Sequence, residues 1–248
     1  MDIYGLIGYP LVHSFSRNYF NQRFHDENTD AEYLNFEIPT IKDFPTILAQ
    51  YPDLKGLNVT IPYKEAVIPY LDALSDDAKE IGAVNVIKVR FNNGKPFLTG
   101  YNSDVIGFTD SLEPLLEKQH TKALVLGTGG ASKAIVYGLK KLGIEPLQVS
   151  RSVHPGMIQY NEITLDMMEQ YCLIVNCTPV GMYPHVNECP DIPYGALTKR
   201  HLLYDLIYNP DETLFLKKGA EMGAKTKNGL EMLLLQAFAS WRFWHEGE

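Results

Sequence analysis

Basic residues are fewer than acidic residues in this sequence of 248 residues. Lys and Arg total 22 against 30 Asp and Glu, which gives a formal net charge of −8 at neutral pH. Neutralisation of phosphates supplies most of the affinity of a general nucleic-acid binder. The acidic balance therefore argues against that class of protein, and any anionic ligand must be held by a local pocket rather than by the field of the whole surface.

Long apolar segments are also missing. No stretch approaches the roughly 20 apolar residues that a membrane-spanning helix needs. The opening residues, MDIYGLIGYP, contain no basic segment followed by an apolar run, so we expect no signal peptide. We therefore expect a cytoplasmic protein with no membrane partner.

Cysteine is rare, with three residues, Cys172, Cys177 and Cys189, all in one short region. The odd number argues against a disulfide framework, and the spacing fits none of the usual zinc patterns. We predict buried free thiols and no metal site.

The apolar residues that are present, 45 % of the chain, suffice for a core. Short runs rich in β-forming residues predict strands, and the stretches between several of them predict helices. Predicted strands cover 3–7, 33–38, 54–59, 84–89, 96–101, 123–126, 146–150, 173–176 and 202–206; predicted helices cover 15–25, 41–50, 104–118, 131–142 and 230–244. This alternation predicts an α/β fold with mostly parallel sheets.

The pattern changes near residue 103. A mixed segment with a predicted hairpin precedes this point, and a βαβ unit that opens on a glycine-rich turn follows it. We predict two lobes, residues 1–103 and residues 104–228, with the last helix (229–248) able to cross back to the first lobe.

The glycine-rich turn is the strongest local motif, Val-Leu-Gly-Thr-Gly-Gly-Ala-Ser-Lys-Ala at 125–134. Gly127 permits a tight turn after a strand, and Gly129 lets a pyrophosphate approach the backbone at a helix N-terminus. Ser132 stands where the third glycine of the usual pattern would be, so the match is imperfect. The motif with its strand and helix predicts a dinucleotide site.

The end of the next predicted strand indicates which dinucleotide is bound. NAD-binding folds place an acidic residue there to bond the ribose 2′-hydroxyl. This chain instead has Arg151 between Ser150 and Ser152. Because arginine can pair with an adenosine 2′-phosphate, the sequence predicts NADP.

Small polar residues gather where strands of the first lobe end. Ser14 and Ser16 follow the first strand, whereas Thr60 and Lys64 follow the third. Further polar clusters lie at 82–85 and 99–104. Hydroxyls and amides suit a polyhydroxylated ligand, and a lysine among them suits proton transfer or carboxylate pairing.

Taken together and in this order, these segments resemble the shikimate dehydrogenase family. The resemblance extends over nearly the whole chain and includes the segments 176–182, 204–210 and 228–236. It implies a substrate-binding α/β lobe at the N-terminus, a Rossmann lobe that binds NADP, and a C-terminal helix that returns to the first lobe. It also implies the reversible reduction of 3-dehydroshikimate to shikimate.

The resemblance assigns roles to particular residues. It implies a catalytic pair of Lys64 and Asp104. Substrate contacts are implied for Ser14, Ser16, Thr60, Asn85, Tyr208 and Gln236. Cofactor contacts are implied for Gly127, Gly129, Gly130, Ala131, Ser150, Arg151, Ser152, Thr178 and Met182.

Some positions depart from the family's pattern. Val12 replaces a usual glycine, Arg17 a usual proline, and Glu231 a glycine, while Ser150 and Ser152 flank Arg151 in place of Asn and Thr. No second basic residue follows Arg151 closely, so capture of the phosphate at two points is in question.

Several alternatives stay open at this point: a relative that prefers quinate or accepts NAD, a non-catalytic sensor of pathway metabolites, and a folate-linked dehydrogenase of similar plan. The last lacks support from the Ser14, Ser16 and Gln236 clusters. Either a monomer or a homodimer is compatible with the sequence.

Overall fold

The computed structural model describes residues 1–11 and 15–246. The chain divides into two compact units, Met1–Ser103 with Ala237–Glu248, and Asp104–Gln236. The division falls inside the last helix, whose first two turns belong to the second unit. The predicted α/β class with two units is confirmed.

The first unit contains a six-stranded mixed sheet. Its strands are β1 (Asp2–Gly8), β2 (Ala31–Glu37), β3 (Leu54–Val59), β4 (Ala73–Leu74), β5 (Val86–Asn92) and β6 (Lys95–Tyr101), and its helices are α1 (Phe15–Asp26), α2 (Phe44–Gln50) and α3 (Asp76–Ile81). The strand order is β2-β1-β3-β5-β6-β4. Strands β1, β2 and β3 pair in parallel, whereas β3, β5 and β6 pair antiparallel.

The predicted hairpin joins β5 to β6. Asn93 and Gly94 both have positive φ, 51° and 76°. Two residues of this kind match the twist of antiparallel strands, which is why an Asn-Gly pair closes the hairpin.

The second unit contains a parallel sheet. Its strands are β7 (Lys122–Leu126), β8 (Glu145–Ser150), β9 (Ile158–Gln159), β10 (Leu173–Asn176), β11 (Leu202–Asp205) and β12 (Lys225–Lys227), and its helices are α4 (Asp104–Leu112), α5 (Gly130–Lys141), α6 (Leu165–Gln170) and α7 (Leu214–Glu221). The strand order is β12-β11-β10-β7-β8-β9, and every pair is parallel. Numbered from β7, this is the 3-2-1-4-5-6 order of the doubly wound dinucleotide fold.

The last helix, α8 (Leu230–His245), contributes to the cores of both units. Met232 packs in the core of the second unit with Phe108 and Leu112. Trp244, 2 % exposed, packs in the first unit with Phe20 and Tyr33. The indole lies where a side chain at Gly56 of β3 would be, so β3 can carry only glycine there.

Two predicted helices are shorter than expected, and proline is the reason in each. The predicted helix 104–118 ends as an α-helix at Leu112, and a 3₁₀ turn containing Pro114 follows. The predicted helix 41–50 divides into a 3₁₀ turn and α2, with Pro45 in the first turn of α2. Proline lacks an N–H donor and is accepted in a helix only near its start.

The cysteine prediction is correct in one part and wrong in another. All three cysteines are free. Cys172 is buried as predicted, but Cys177 and Cys189 are only partly buried. Within the residues that the structure describes, no helix is long and apolar enough to cross a bilayer, and no group of three or more His, Cys, Asp or Glu could hold a metal ion.

Candidate functional site

The glycine turn lies between β7 and α5, at the point where the strand order of the second sheet reverses. Gly127 has φ of +106°, and a Cβ there would lie 2.9 Å from Cγ2 of Thr178. Its N–H donates to the carbonyl of Val149 on β8 at 2.9 Å. Glycine is therefore required both by the conformation and by the loop that follows β10, and the structure brings Gly127 and Thr178 together.

The start of α5 has the form of an anion-binding site. Gly129 occupies the N-cap position, no side chain caps the helix, and a Cβ at Gly129 would meet no atom within 4 Å. Gly130 and Ala131 then form the first helical turn. The unpaired N–H groups of a helix N-terminus attract phosphate, and the open space lets it reach the backbone.

Ser132 explains why the missing third glycine does not disrupt the turn. Its side chain is fully buried, and Oγ donates to the carbonyl of Gly129 at 2.7 Å. The hydroxyl thus folds back on its own turn instead of projecting into the space above Gly129.

Arg151 follows β8, as predicted, and is exposed. Its carbonyl accepts from Nε2 of Gln159 at 3.2 Å, while Oγ of Ser150 accepts from the N–H of Ser152 at 3.1 Å. The positive charge of Arg151 lowers the pKa of the nearby Tyr160, against a larger rise caused by burial. These contacts fix the backbone around Arg151 and leave its guanidinium toward solvent.

The loop after β10 is held by a buried polar pair. Asn176 and Asp205 are opposite each other in neighbouring strands β10 and β11, and Nδ2 of Asn176 donates to Oδ1 of Asp205 at 3.0 Å. Oδ1 of Asn176 accepts from both the N–H and the hydroxyl of Thr178, at 3.0 and 2.7 Å. Asp205 thereby positions Thr178 through Asn176.

Asp205 also anchors the loop that leads to Tyr208. Its carboxylate accepts from the N–H of Ile207 at 3.1 Å and from the hydroxyl of Thr213 at 2.6 Å. Burial raises the pKa of Asp205 to about 6, and these hydrogen bonds act in the opposite direction. Tyr208 is 39 % exposed, and partial burial raises its pKa. Met182, also exposed, lies in a turn in which its carbonyl accepts from His185.

Asp104 and Gln236 lie on helices that pack closely in the second unit. A Cβ at Gly107 of α4 would lie 2.5 Å from the carbonyl of Met232 and 3.0 Å from the N–H of Gln236, both on α8. Asp104 is one turn before Gly107 and is 7 % exposed. Because residues three apart share a helix face, Gly107 allows α4 to present Asp104 beside the part of α8 that carries Gln236.

Backbone hydrogen bonds in the first unit hold the segments that carry Thr60, Lys64 and Asn85 next to one another. The N–H of Val59, next to Thr60, donates to the carbonyl of Asn85 at 2.9 Å, and the N–H of Val84 donates to the carbonyl of Lys64 at 2.7 Å. Thr60 and Lys64 are partly buried, and Asn85 is buried. The structure therefore brings these three predicted residues together where β3 ends and β5 begins.

Ser16 is partly buried in the first turn of α1 and hydrogen-bonds the hydroxyl of Tyr33. Ser14, together with Val12 and His13, lies outside the described residues. Sequence reasoning missed Tyr33 and Ser240, two buried polar groups of this unit. A serine within the apolar run of α8 was the available signal for Ser240, whereas Tyr33 is indistinguishable in sequence from an ordinary aromatic core residue.

Comparison with known proteins gives consistent results for both units. A family model described as the shikimate dehydrogenase substrate binding domain matches residues 6–87. Over 259 residues, the chain is 38 % identical to the shikimate dehydrogenase (NADP(+)) of Caldanaerobacter subterraneus subsp. tengcongensis, covering 98 % of this chain and 91 % of that protein.

Solved structures agree with the sequence comparison. The crystal structure of shikimate dehydrogenase from Aquifex aeolicus superposes with a TM-score of 0.85 at 37 % identity, covering 99 % of this chain and 92 % of that one. The enzyme from Thermus thermophilus in complex with NADP(H) and shikimate gives a TM-score of 0.85 at 28 % identity, covering 99 % and 94 %.

Proposed function

This chain belongs to the shikimate dehydrogenase family, and we propose that it catalyses the reversible, NADP-dependent reduction of 3-dehydroshikimate to shikimate. The observation that carries the proposal is the 38 % identity over 98 % of the chain to a shikimate dehydrogenase (NADP(+)). A solved relative of the same fold holds NADP(H) and shikimate together.

The second unit has the features that NADP requires. The uncapped N-terminus of α5 and the open space at Gly129 suit the pyrophosphate. Arg151, with Ser150 and Ser152, supplies the cation and donors for the 2′-phosphate. When bound, NADP accepts or supplies the hydride at its nicotinamide. Met182, in the loop after β10, would flank the nicotinamide, and Thr178 of the same loop would contact the cofactor.

Lys64 carries the proton that accompanies hydride transfer. Oxidation of shikimate turns the C3 hydroxyl into a carbonyl, so the hydroxyl proton must leave, and Lys64 takes it up. In the direction of reduction, the Lys64 ammonium donates that proton to the forming hydroxyl. Asp104, the other member of the proposed catalytic pair, accepts from a substrate hydroxyl.

The remaining polar residues hold the substrate at several points. Ser14 and Ser16 donate to its carboxylate. The ring hydroxyls are contacted by Thr60, Asn85, Tyr208 and Gln236. Hydroxyl and amide groups carry no net charge, so they recognise a polyol without adding repulsion or attraction that depends on pH.

The alternatives considered from sequence are not favoured. A dehydrogenase that prefers NAD would be expected to place a carboxylate after β8, where this chain has Arg151 between two serines. A non-catalytic sensor has no need of a proton-transfer pair, yet Lys64 and Asp104 are both present. The aligned relatives are named shikimate dehydrogenase (NADP(+)).

We place the enzyme in the cytoplasm, acting as a monomer or homodimer. The three free thiols are typical of a reducing compartment. Analytical ultracentrifugation of the purified chain distinguishes the two oligomeric states.

The proposed function is tested by absorbance at 340 nm. Shikimate and quinate are each offered with NADP and with NAD, and NMR identifies the product of the reverse reaction from 3-dehydroshikimate. We expect shikimate with NADP to give the highest kcat/KM. A higher kcat/KM with quinate and NAD would contradict the proposal, as would the absence of cofactor reduction with every pair of substrate and cofactor.

A further inference from the structure

A continuous set of polar side chains, all buried except the partly buried Ser16, crosses the first unit. Its members are connected by hydrogen bonds and end on two residues assigned to substrate binding. They are Ser16, Tyr33, Asn58, Ser240, Ser103 and Asn85. We call this set the polar chain.

The middle of the polar chain is Asn58, 6 % exposed. Its Nδ2 donates to Oγ of Ser240 at 2.9 Å and to the carbonyl of Asn85 at 3.3 Å. Both N–H donors are therefore committed, and Oδ1 must accept. The hydroxyl of Tyr33 donates to that oxygen at 2.8 Å.

This arrangement decides the direction of the bond at Ser16. Because the hydroxyl proton of Tyr33 points to Asn58, the Tyr33 oxygen can only accept from Ser16, which hydrogen-bonds it. Tyr33 is fully buried, and burial strongly raises its pKa, so its hydroxyl stays protonated. Ser16 is thus held in one rotamer with its oxygen fixed, and when shikimate binds, the single hydroxyl proton of Ser16 turns from Tyr33 to the carboxylate.

The other end of the polar chain fixes Asn85. Oγ of Ser240 and Oγ of Ser103 are 3.1 Å apart. Nδ2 of Asn85 donates to Oγ of Ser103 at 3.0 Å, and Oδ1 accepts from the N–H of Ser103 at 2.6 Å. The side-chain amide of Asn85 therefore has one orientation. Its oxygen faces the N–H of Ser103, and its nitrogen faces the hydroxyl of Ser103.

Ser240 reaches this position because α8 packs on the first unit. Trp244, one turn after Ser240, lies against Gly56 of β3, and its Nε1 donates to the carbonyl of Ile87 on β5 at 3.2 Å. Ser240 itself is fully buried. The return of the C-terminal helix thus supplies the hydroxyl that connects the two halves of the polar chain.

We propose that Tyr33 and Ser240 are positioning residues, which hold Ser16 and Asn85 in the geometry that binds the carboxylate and a ring hydroxyl of shikimate. The inference rests on the proposed function. Side chains fixed before binding lose less rotamer freedom when the ligand arrives, so the polar chain raises affinity without touching the ligand. All six of its members belong to the first unit, whereas the cofactor is assigned to the second.

The test uses Tyr33→Phe, Ser240→Ala and their double variant in the full chain, with a matched control for each single substitution. Tyr4→Phe removes another buried hydroxyl from the same aromatic cluster, and Ser111→Ala removes another buried helical serine bonded to a second hydroxyl, that of Tyr204. Calorimetry gives Kd for shikimate and for NADP, and Tm is measured for all five variants. The KM values and kcat are measured by absorbance at 340 nm.

For Tyr33→Phe and for Ser240→Ala, we expect Kd and KM for shikimate to rise about 3- to 10-fold. This is the effect expected from the loss of one hydrogen bond that positions a ligand-binding side chain. The Kd for NADP should be unchanged within about twofold. Tyr4→Phe and Ser111→Ala should leave both Kd values, both KM values and kcat unchanged even where they lower Tm. Because both truncations interrupt one chain, the rise in the double variant should fall short of the product of the two single rises.

Unchanged shikimate affinity in both Tyr33→Phe and Ser240→Ala would overturn the inference, as would multiplicative effects in the double variant. If Tyr33→Phe fails to fold, Ser240→Ala decides alone, since alanine already occupies positions 237 and 239 of the helix. A wild-type protein that neither binds nor oxidises shikimate would instead overturn the proposed function, so the two failures are distinguishable.

Discussion

The two units bury polar groups in different ways. In the first unit, hydroxyls and amides alone form the polar chain from Ser16 to Asn85. In the second, Asn176 and Thr213 converge on the carboxylate of Asp205, which is fully buried. A neutral chain holds its geometry at any pH near neutrality, whereas a buried carboxylate couples the second unit to protonation.

The difference matches the ligands that we assign to each unit. A polyol with one carboxylate is recognised by neutral donors at fixed positions. The loop after β10, which we assign to the cofactor, instead depends on a carboxylate. Asn176 donates to Asp205 and accepts from Thr178, so Asp205 positions Thr178 through Asn176. Perturbing the polar chain should therefore affect shikimate, and perturbing Arg151 or the loop after β10 should affect NADP.

Lys64→Ala should give the largest effect. It removes proton transfer while leaving the hydroxyl and amide contacts of the first unit, and general acid–base groups contribute about 10²- to 10⁴-fold. We expect kcat to fall by that factor, with a much smaller change in KM for shikimate. Near-normal kcat in the purified variant would refute the role of Lys64.

The pH dependence of stability should distinguish the two units. The pKa of Asp205 is raised from 3.8 to about 6. Protonated Asp205 therefore favours the folded state, so this stabilisation is present in full below pH 3.8 and is lost as the pH rises through about 6. The shift corresponds to about 3 kcal/mol over the whole titration. Tyr194 and Cys177, which face Asp205, stay neutral throughout because burial raises the pKa of each.

Urea unfolding of wild type and Asp205→Asn between pH 4 and pH 7 measures this contribution. We expect the wild type to lose stability relative to the variant as the pH rises. Asn58→Ala, in the polar chain of the first unit, serves as the comparison. It should lower the free energy of unfolding by the same amount at pH 4 and at pH 7. A parallel pH profile for wild type and Asp205→Asn would show that this carboxyl is not the titrating group.

Arg151→Ala should remove most of the preference for NADP. Arg151 is the only Lys or Arg between Lys141 and Lys199 in the sequence. With one cation, we expect a preference for NADP over NAD on the order of 10²-fold, or about 2.7 kcal/mol. The variant should raise KM for NADP and change KM for NAD little, as measured by kcat/KM with both cofactors. Equal kcat/KM for NADP in wild type and variant would mean that another group contacts the phosphate.

Ser16→Ala should weaken substrate binding. A hydrogen bond to a charged group contributes roughly 1.5–3 kcal/mol, or about 10- to 150-fold in affinity. We expect KM for shikimate to rise within that range while kcat falls less. The matched control is Ser152→Ala, a serine of the other unit, which should leave KM for shikimate unchanged.

The fold was predictable where one strong pattern decided the element. The apolar runs at 54–59 and 173–176 became β3 and β10 with the predicted bounds. The short helices α3, α6 and α7 were not predicted, although Ser75, Thr164 and Thr213 cap them and were visible signals. Each has only six to eight residues, too few to show an apolar face with helical period.

The candidate site was predictable only for residues that stand at strand ends or in the glycine turn. Lys64 and Arg151 follow strands, so their positions could be expected from sequence. Tyr33 and Ser240 are more than 200 positions apart in the chain, and only packing of α8 on the first sheet brings both to Asn58. Long-range hydrogen bonds of this kind leave no local pattern.

We assign the substrate carboxylate to Ser16 of the first unit and the 2′-phosphate of the cofactor to Arg151 of the second. Calorimetric titration of shikimate and of NADP into wild type, Ser16→Ala and Arg151→Ala checks both assignments at once. We expect Ser16→Ala to weaken shikimate binding alone and Arg151→Ala to weaken NADP binding alone, each by at least about tenfold. Weakened NADP binding with unchanged shikimate binding in Ser16→Ala would contradict the assignment of Ser16.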